Sequence, residues 1–371
     1  MKRALTALLC LVILATTTAT ATPAQAGPRP LPIRGADVSS LAKSEALGGV
    51  YRYADGRRGD ALRVLSQAGL NHIRLKVWVN PADGYNTKTQ VLAIARRAKA
   101  AGLRLLVDFH YSDTWADPGK QFKPAAWAAL PLDRLVQAVH DHTFDVLDAL
   151  RRQGTPADLV QVGNEINGGL LWPEGGNAHW SNTARLLNAG YDAVKRVSSR
   201  TQVVLHLANG GDNGLYRWWF DNAAAHGIRY DVIGLSYYPY WHGTLEAFQA
   251  NINDVATRYG RPVVVAETGY PFTTADDDGW ENLITAAEPY PGYPSTPQGQ
   301  AALLREVAQI VRDVPGGLGL GLFAWEATWT GVEGNGWDPA DPSTGNAWEN
   351  QALFDFADRA LPAMRALGEA S

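Results

Sequence analysis

Eight short, almost continuously apolar runs recur along this chain, with helix-patterned stretches between them. The runs are Gly35–Ser40, His72–Trp78, Arg104–His110, Leu159–Glu165, Gln202–Ala208, Val232–Tyr238, Pro262–Thr268 and Gly319–Glu326. A strand that is apolar nearly throughout, rather than at alternate positions, is covered on both faces, as in a parallel sheet. Asp60–Gly69 carries Ala61, Leu62, Leu65 and Ala68 at helical spacing, with Gly69 as a stop. Thr89–Gly102 and Leu132–Gly154 repeat that device, and Asn182–Val197, Arg217–Gly227, Thr244–Gly260 and Thr296–Val314 continue the alternation. Strand–helix alternation of this kind predicts a parallel α/β fold. Eight such units in about 300 residues predict a (β/α)8 TIM barrel. The alternative, an open doubly wound sheet, often carries a Gly-rich phosphate loop after an early strand. Neither G-x-G-x-x-G nor G-x-x-x-x-G-K-[ST] occurs here. No repeat, charge run or Ser/Gly linker divides the chain, which predicts one catalytic domain over 27–371.

The N-terminus has a basic tip, Lys2–Arg3, an apolar run from Ala4 to Ala15, and the small-residue site Ala24–Gln25–Ala26. This pattern predicts a secretory signal peptide, 1–26, and a secreted, extracellular product. The apolar run is too short to span about 30 Å of hydrocarbon. Cys10 is the only cysteine and lies inside that segment, so the mature chain is expected to hold no disulfide and to rely on its core. A formal net charge of −4 points to neither a nucleic-acid nor a membrane partner. The chain has 13 tryptophans, and several (Trp78, Trp115, Trp172, Trp180, Trp241, Trp329, Trp337) stand in loop-like stretches. Exposed aromatic platforms suit flat ligand faces, sugar rings among them.

In a barrel, chemistry gathers at the C-terminal ends of the strands. Two runs share one form, a valine-rich strand closing on a glutamate: Leu159–Glu165 on Asn164–Glu165, and Pro262–Thr268 on Glu267–Thr268. Arg74 and Trp78 stand on the second run, Asp108–Phe109–His110–Tyr111 end the third, and His206 lies on the fifth. Ser236–Tyr237–Tyr238 end the sixth and Trp325–Glu326 the eighth. Long loops after the third, fourth, seventh and eighth runs can wall an open groove. Cleaving a glycosidic bond needs an acid for the leaving oxygen and a carboxylate to attack the anomeric carbon or activate water. Glu165 and Glu267 are the candidates for that pair; a lone strand-end glutamate could equally cap a loop or pair with an arginine. Asn164 is placed to hydrogen-bond a ring hydroxyl. Arg74 and Tyr238 are placed to donate to Glu267 and keep it ionised, while Glu165 needs surroundings that disfavour charge.

Asp108, His110 and His206 are metal-capable residue types, yet no H-x-x-x-H spacing occurs. His140 and His142 are two apart on a helix and do not face one another. His110 is expected to hydrogen-bond sugar or the Asn164–Glu165 pair. No cofactor is expected for catalysis. Asp276, Asp278 and Asn282 offer oxygen ligands of the kind calcium takes, but the stretch reads first as a solvated acidic turn, and no metal ligand is assigned.

Asn164–Glu165–Ile166 followed by Gly169–Leu170–Leu171–Trp172–Pro173 resembles the acid/base segment of glycoside hydrolase family 53, the endo-β-1,4-galactanases of pectin galactan side chains. Gly35–Ser40, Arg74 with Val77–Pro81, His110–Pro118, Ser236–Pro239, Glu267–Thr268 and Trp325–Glu326 resemble, in order, further strand ends of that family. The resemblance implies a retaining glycosidase cutting β-1,4-galactan or type I arabinogalactan, with Glu165 as acid/base and Glu267 as nucleophile. It implies a substrate shell of Arg74, His110, Asn164, Tyr238 and Trp325. The loop carrying Asp113 and Trp115 is expected to help set the substrate, and a related fold could equally cut xylan, mannan or glucan. A galactan-binding protein without catalysis is the reading from another class. Some bacterial members bind calcium after the seventh strand; here Asp276, Asp278 and Asn282 match and Trp280 replaces a histidine. A monomer acting on a polysaccharide is expected.

Overall fold

The sheet runs β1 (Ile33–Asp37), β2 (His72–Val77), β3 (Arg104–Phe109), β4 (Leu159–Val162), β5 (Gln202–Leu207), β6 (Val232–Ser236), β7 (Val263–Thr268) and β8 (Gly319–Ala324). Each strand pairs in parallel with its neighbours in sequence, and β1 closes on β8, giving a complete barrel. The computed structural model describes residues 30–369, so the expected signal peptide, 1–26, and Cys10 lie outside the described residues. Among the described residues no helix is long and apolar enough to cross a membrane.

The main helices between the strands are Ala61–Gln67, Lys88–Ala100, Leu132–Arg152, Trp180–Val197, Asn213–Ala225, Leu245–Tyr259 and Pro297–Arg312. Their ends follow local chemistry. Thr296 accepts from the Gly299 N–H with Pro297 opening the helix, and Thr244 and Asp212 cap the Ala247 and Leu215 N–H groups. The expected stops Gly69, Gly102 and Gly154 all lie just past helix ends at positive φ. Two helices, Leu41–Ala46 and Pro362–Gly368, were not expected. Each is two turns or fewer, too short to show a period.

Strand residues alternate between two environments. Ile33, Leu106, Leu159, Val204, Val232, Val264 and Phe323 form one buried cluster that plugs the barrel interior. Val160, Val162, Leu205, Leu207, Ile233, Leu235, Val263 and Val265 belong to the larger layer between sheet and helices, with Leu186, Val255 and Leu304. Along β4 the interior positions are therefore Leu159 and then Gln161. Along β5 they are Val204 and His206, and along β6 they are Val232, Gly234 and Ser236. Polar side chains enter the barrel above its apolar plug.

Two strand ends break this alternation. On β7, Val264 faces inward, so strict alternation would turn Glu267 outward. The register with β6 instead slips, pairing Leu235 with Val265 and then Ser236 with Glu267, and β8 shows a matching slip. One extra residue, Ala266, is absorbed there, and the bulge brings Glu267 onto the Ser236 side. At the other carboxylate, the expected strand Leu159–Glu165 is shorter than read: β4 ends at Val162. Gly163 (φ 89°) and Glu165 (φ 46°) leave the extended region and turn the chain sharply. Tyr111, Asn209 and Glu326 hold positive φ just beyond β3, β5 and β8. For non-glycine residues such conformations cost of order 1–3 kcal/mol each, and they gather at functional sites.

Gly321 sits on the seam that closes the barrel, opposite Ile33 and with φ +144°. A Cβ there would stand 1.8 Å from the Ile33 carbonyl oxygen. Gly321→Ala is expected to pry β1 from β8 and to cost at least about 1–3 kcal/mol. Thermal unfolding should show a lower midpoint, and an unchanged midpoint would contradict this account of the seam.

Candidate active site

The C-terminal ends of the strands open into a cleft of about 470 Å³. Its walls include His110, Trp115, Asn164, Glu165, Tyr238, Glu267 and Trp325, seven of the nine residues singled out in the sequence. That volume lies within the roughly 300–1,000 Å³ of a ligand pocket. The aromatic wall is continuous. Trp115 packs edge-on to Trp325 (5.7 Å between ring centroids) and stacks on Trp329 (5.8 Å), and Trp325 meets Trp348 (4.6 Å). Trp337 and Trp241 stand at the rim, 42 % and 52 % exposed.

Trp115 is held from two sides. Its Nε1 donates to the Trp337 carbonyl (2.6 Å), and the Lys76 ammonium lies 3.8 Å from its ring centroid. A buried ammonium against an aromatic face is a stabilising cation–π contact. Lys76 is itself paired with buried Glu326, so the platform stands on a neutralised ion pair.

The other two expected site residues lie off the cleft wall. Arg74 is buried beneath it, 1 % exposed, and donates to Glu267 rather than facing a ligand. Asp113 braces the loops: its two carboxylate oxygens accept from the Asn80 and Ala125 N–H groups, both at 2.8 Å.

Arg74 is the hub. Its Nε donates to Gln161 Oε1 (2.7 Å) and its Nη1 to Asp37 Oδ2 (2.6 Å). Its Nη2 faces Asp108 Oδ2, Asn164 Oδ1 and Glu267 Oε1, each at 2.8 Å. Glu267 Oε2 accepts in addition from the Tyr238 hydroxyl (3.1 Å). Burial and the Glu267 charge push the Tyr238 phenol far above its ordinary range, so it remains a donor. Burial also raises Glu267, the Arg74 cation opposes this, and Asp108 and Asp37 add to the rise. Burial disfavours the Asp108 charge too, but Arg74 and His110 hold that carboxyl below the ordinary range.

Among the described residues no cation is in direct contact with Glu165. Its Oε1 accepts from the Ser236 hydroxyl (2.6 Å). Burial first, and then the Glu267 charge, push its carboxyl up to about 8, against a smaller lowering by Ser236. The two carboxylates thus differ as acid and nucleophile should: one beside a guanidinium and a phenol, the other in surroundings that keep its proton.

His110 is fixed by both ring nitrogens. Nε2 lies 3.0 Å from Asp108 Oδ2, and Nδ1 accepts from the Ala116 N–H (3.0 Å) and Trp78 Nε1 (3.2 Å). It therefore supports the site and offers the cleft only its ring. His206 is fully buried among Gln161, Asn164, Glu165 and Ser236. Sequence reading passed over Gln161 and the link between Ser236 and His206. A polar residue at every second position of an apolar strand was the available signal, visible once the interior face of each strand is known.

A barrel whose strand ends bring one buried and one half-buried carboxylate to one aromatic cleft is the arrangement of a glycosidase. Comparison with known proteins narrows this: the chain belongs to glycosyl hydrolase family 53, whose family profile it matches over residues 33–367. It is 36% identical over 367 residues to the endo-beta-1,4-galactanase of Bacillus subtilis, covering 90% of this chain and 84% of that one. Among solved structures it resembles the Ignisphaera aggregans GH53 catalytic domain, with TM-score 0.86 and 39% identity over 91% of this chain and 98% of that one. It also resembles a fungal beta-1,4-galactanase, with TM-score 0.80 and 33% identity over 91% of this chain and 99% of that one.

Because the Glu267 charge helps to raise Glu165, Glu267→Gln should lower the Glu165 titration midpoint from its position near 8. Carboxyl-carbon NMR of glutamate-labelled protein reads this directly. A midpoint that stays or rises in the variant would refute the coupling.

Proposed function

We propose that this protein is a secreted, retaining endo-β-1,4-galactanase acting as a monomer on the galactan of pectin, with Glu165 as acid/base and Glu267 as nucleophile. The observation that carries the proposal is the unequal setting of the two carboxylates. Arg74 and Tyr238 donate to Glu267, whereas Glu165 receives one hydroxyl and sits where burial favours its neutral form. The galactanase names of its relatives supply the substrate class.

In the first step a Glu267 oxygen attacks the anomeric carbon, the glycosidic C–O bond breaks, and the Glu165 proton passes to the departing oxygen. Arg74 and Tyr238 hold the Glu267 carboxylate in place for attack and stay with it in the glycosyl ester. In the second step Glu165, now ionised, takes a proton from water. The water oxygen bonds to the anomeric carbon, and Glu267 leaves as carboxylate. The tryptophan wall would seat successive rings, and Asn164 would face the hydroxyl beside the reacting carbon.

Incubation of the protein with linear β-1,4-galactan should release oligosaccharides of decreasing length, and proton NMR of the first product should show the β-anomer. Glu267→Gln should abolish turnover while keeping the fold. The secreted protein should begin at Gly27. An α-anomer as first product would sink the retaining mechanism, and activity on xylan, mannan or glucan alone would overturn the substrate.

The acidic loop that reads from sequence as a solvated turn or a calcium loop meets a further carboxylate from another loop. Carboxylate oxygens of Asp276, Asp278 and Glu349 lie within 4.8 Å of one another. Buried Glu349 Oε2 and Asn282 Oδ1 have no hydrogen-bond partner among the described residues. Burial and the adjacent aspartates push Glu349 up to about 7. Hard oxygen donors of this kind fit calcium. We propose that Asp276, Asp278 and Glu349 hold a structural calcium, tying the loop after β7 to the loop after β8. The thermal midpoint should rise with millimolar calcium and fall with chelator, and Glu349→Gln should remove that response. Identical midpoints with calcium and chelator would refute the site.

A further inference from the structure

Resting on the assignment of Glu165 as acid/base, we propose that Arg74 also governs that residue, through a one-way chain of hydrogen bonds, Arg74–Gln161–His206–Ser236–Glu165, that confines the acid proton to Glu165 Oε2. Gln161, His206 and Ser236 are positioning residues and do not touch substrate.

The direction of the chain follows from what each group can donate. Guanidinium nitrogens donate and never accept. Arg74 Nε therefore fixes Gln161 with Oε1 toward it (2.7 Å) and the amide NH2 turned away. One N–H of that amide meets Asp108 Oδ1 (3.1 Å) and the other meets His206 Nδ1 (2.9 Å). The Glu165 backbone N–H also points at Nδ1, at 3.4 Å. With two donors aimed at it, Nδ1 accepts. His206 is neutral, because burial and the nearby Arg74 charge hold its imidazolium form far below the ordinary range. Its single ring proton is therefore on Nε2, which lies 2.8 Å from Ser236 Oγ. Ser236 Oγ accepts that proton's hydrogen bond, so its own O–H is free to donate to Glu165 Oε1 (2.6 Å).

An oxygen already accepting from Ser236 at that distance is a poor place for the acid's own proton. The proton goes instead to Oε2, which has no protein partner among the described residues, on a carboxyl that lines the cleft. The opposite tautomer has one supporter, Asn164 Oδ1, 3.0 Å from His206 Nδ1 and already accepting from Arg74. It would turn Ser236 round, make Nε2 the acceptor, and trap the Glu165 proton on Oε1, away from the leaving group. Gln161 thus selects the productive arrangement.

Histidine 15N NMR of the intact protein tests the chain without any variant. The expected result for His206 is a protonated Nε2 and an unprotonated Nδ1; a protonated Nδ1 overturns the proposal. Kinetics of Ser236→Ala give the second test. Misplacing the acid proton should cost about 100-fold on galactan, the scale of general acid catalysis. The loss should be at least about ten-fold smaller on a dinitrophenyl β-galactoside, whose leaving group departs without a proton. Equal losses on both substrates would overturn the chain. Glu165→Ala keeps the two readings apart. Full galactan activity in that variant removes the acid assignment itself, whereas loss there combined with equal Ser236→Ala losses removes only the chain.

Discussion

The interaction on which this structure depends is the burial of one guanidinium. Arg74 has almost no contact with solvent, and charges in such a place are tolerated only when paired and hydrogen-bonded. Its donors reach Asp37 on β1, Asp108 on β3, Gln161 on β4 and Glu267 on β7. Strands remote in sequence are thereby tied at one level of the barrel, immediately above the apolar plug that ends with Val264 and Phe323. Three carboxylates share this one cation. That arrangement would be poor as a device for stability alone, but the Glu267 charge it holds discourages a second ionisation nearby. Glu165 feels burial first and then the Glu267 charge, with Arg74 a smaller opposing influence.

Backbone irregularity aims the chemistry. The slip at Ala266 moves Glu267 to the interior face, and left-handed turns at Gly163 and Glu165 swing the Glu165 carboxylate out of the line of β4. Regular strands would have pointed one of these carboxylates into the helix layer. The aromatic wall follows a similar logic, because Trp115 belongs to a loop yet is fixed by Lys76 from within the barrel and by a loop carbonyl from without. A rigid scaffold thus supplies precision to residues carried by irregular segments.

Much of this was legible in the amino-acid order. All eight strands and seven helices lie within a few residues of their expected positions, because an apolar run covered on both sides can hardly be anything else. Seven of nine named site residues line one cleft. The exceptions are instructive. Asp113 turned inward to backbone amides, and Arg74 lies beneath the floor rather than on it. Glu349 joined Asp276 and Asp278 from a loop far along the chain, which no local spacing could announce.

Sequence by itself determined the class of fold, through the rhythm of apolar runs and helix stops, and it determined which two carboxylates stand at strand ends. Those are local properties, set by residue type and period. Only the tertiary structure decided how those carboxylates differ and what holds them. Protonation depends on burial and on neighbours brought from other strands: Arg74 and Tyr238 for Glu267, and Gln161, His206 and Ser236 for Glu165. The closed barrel makes those neighbours by curling eight parallel strands until interior residues far apart in sequence meet across a few ångströms.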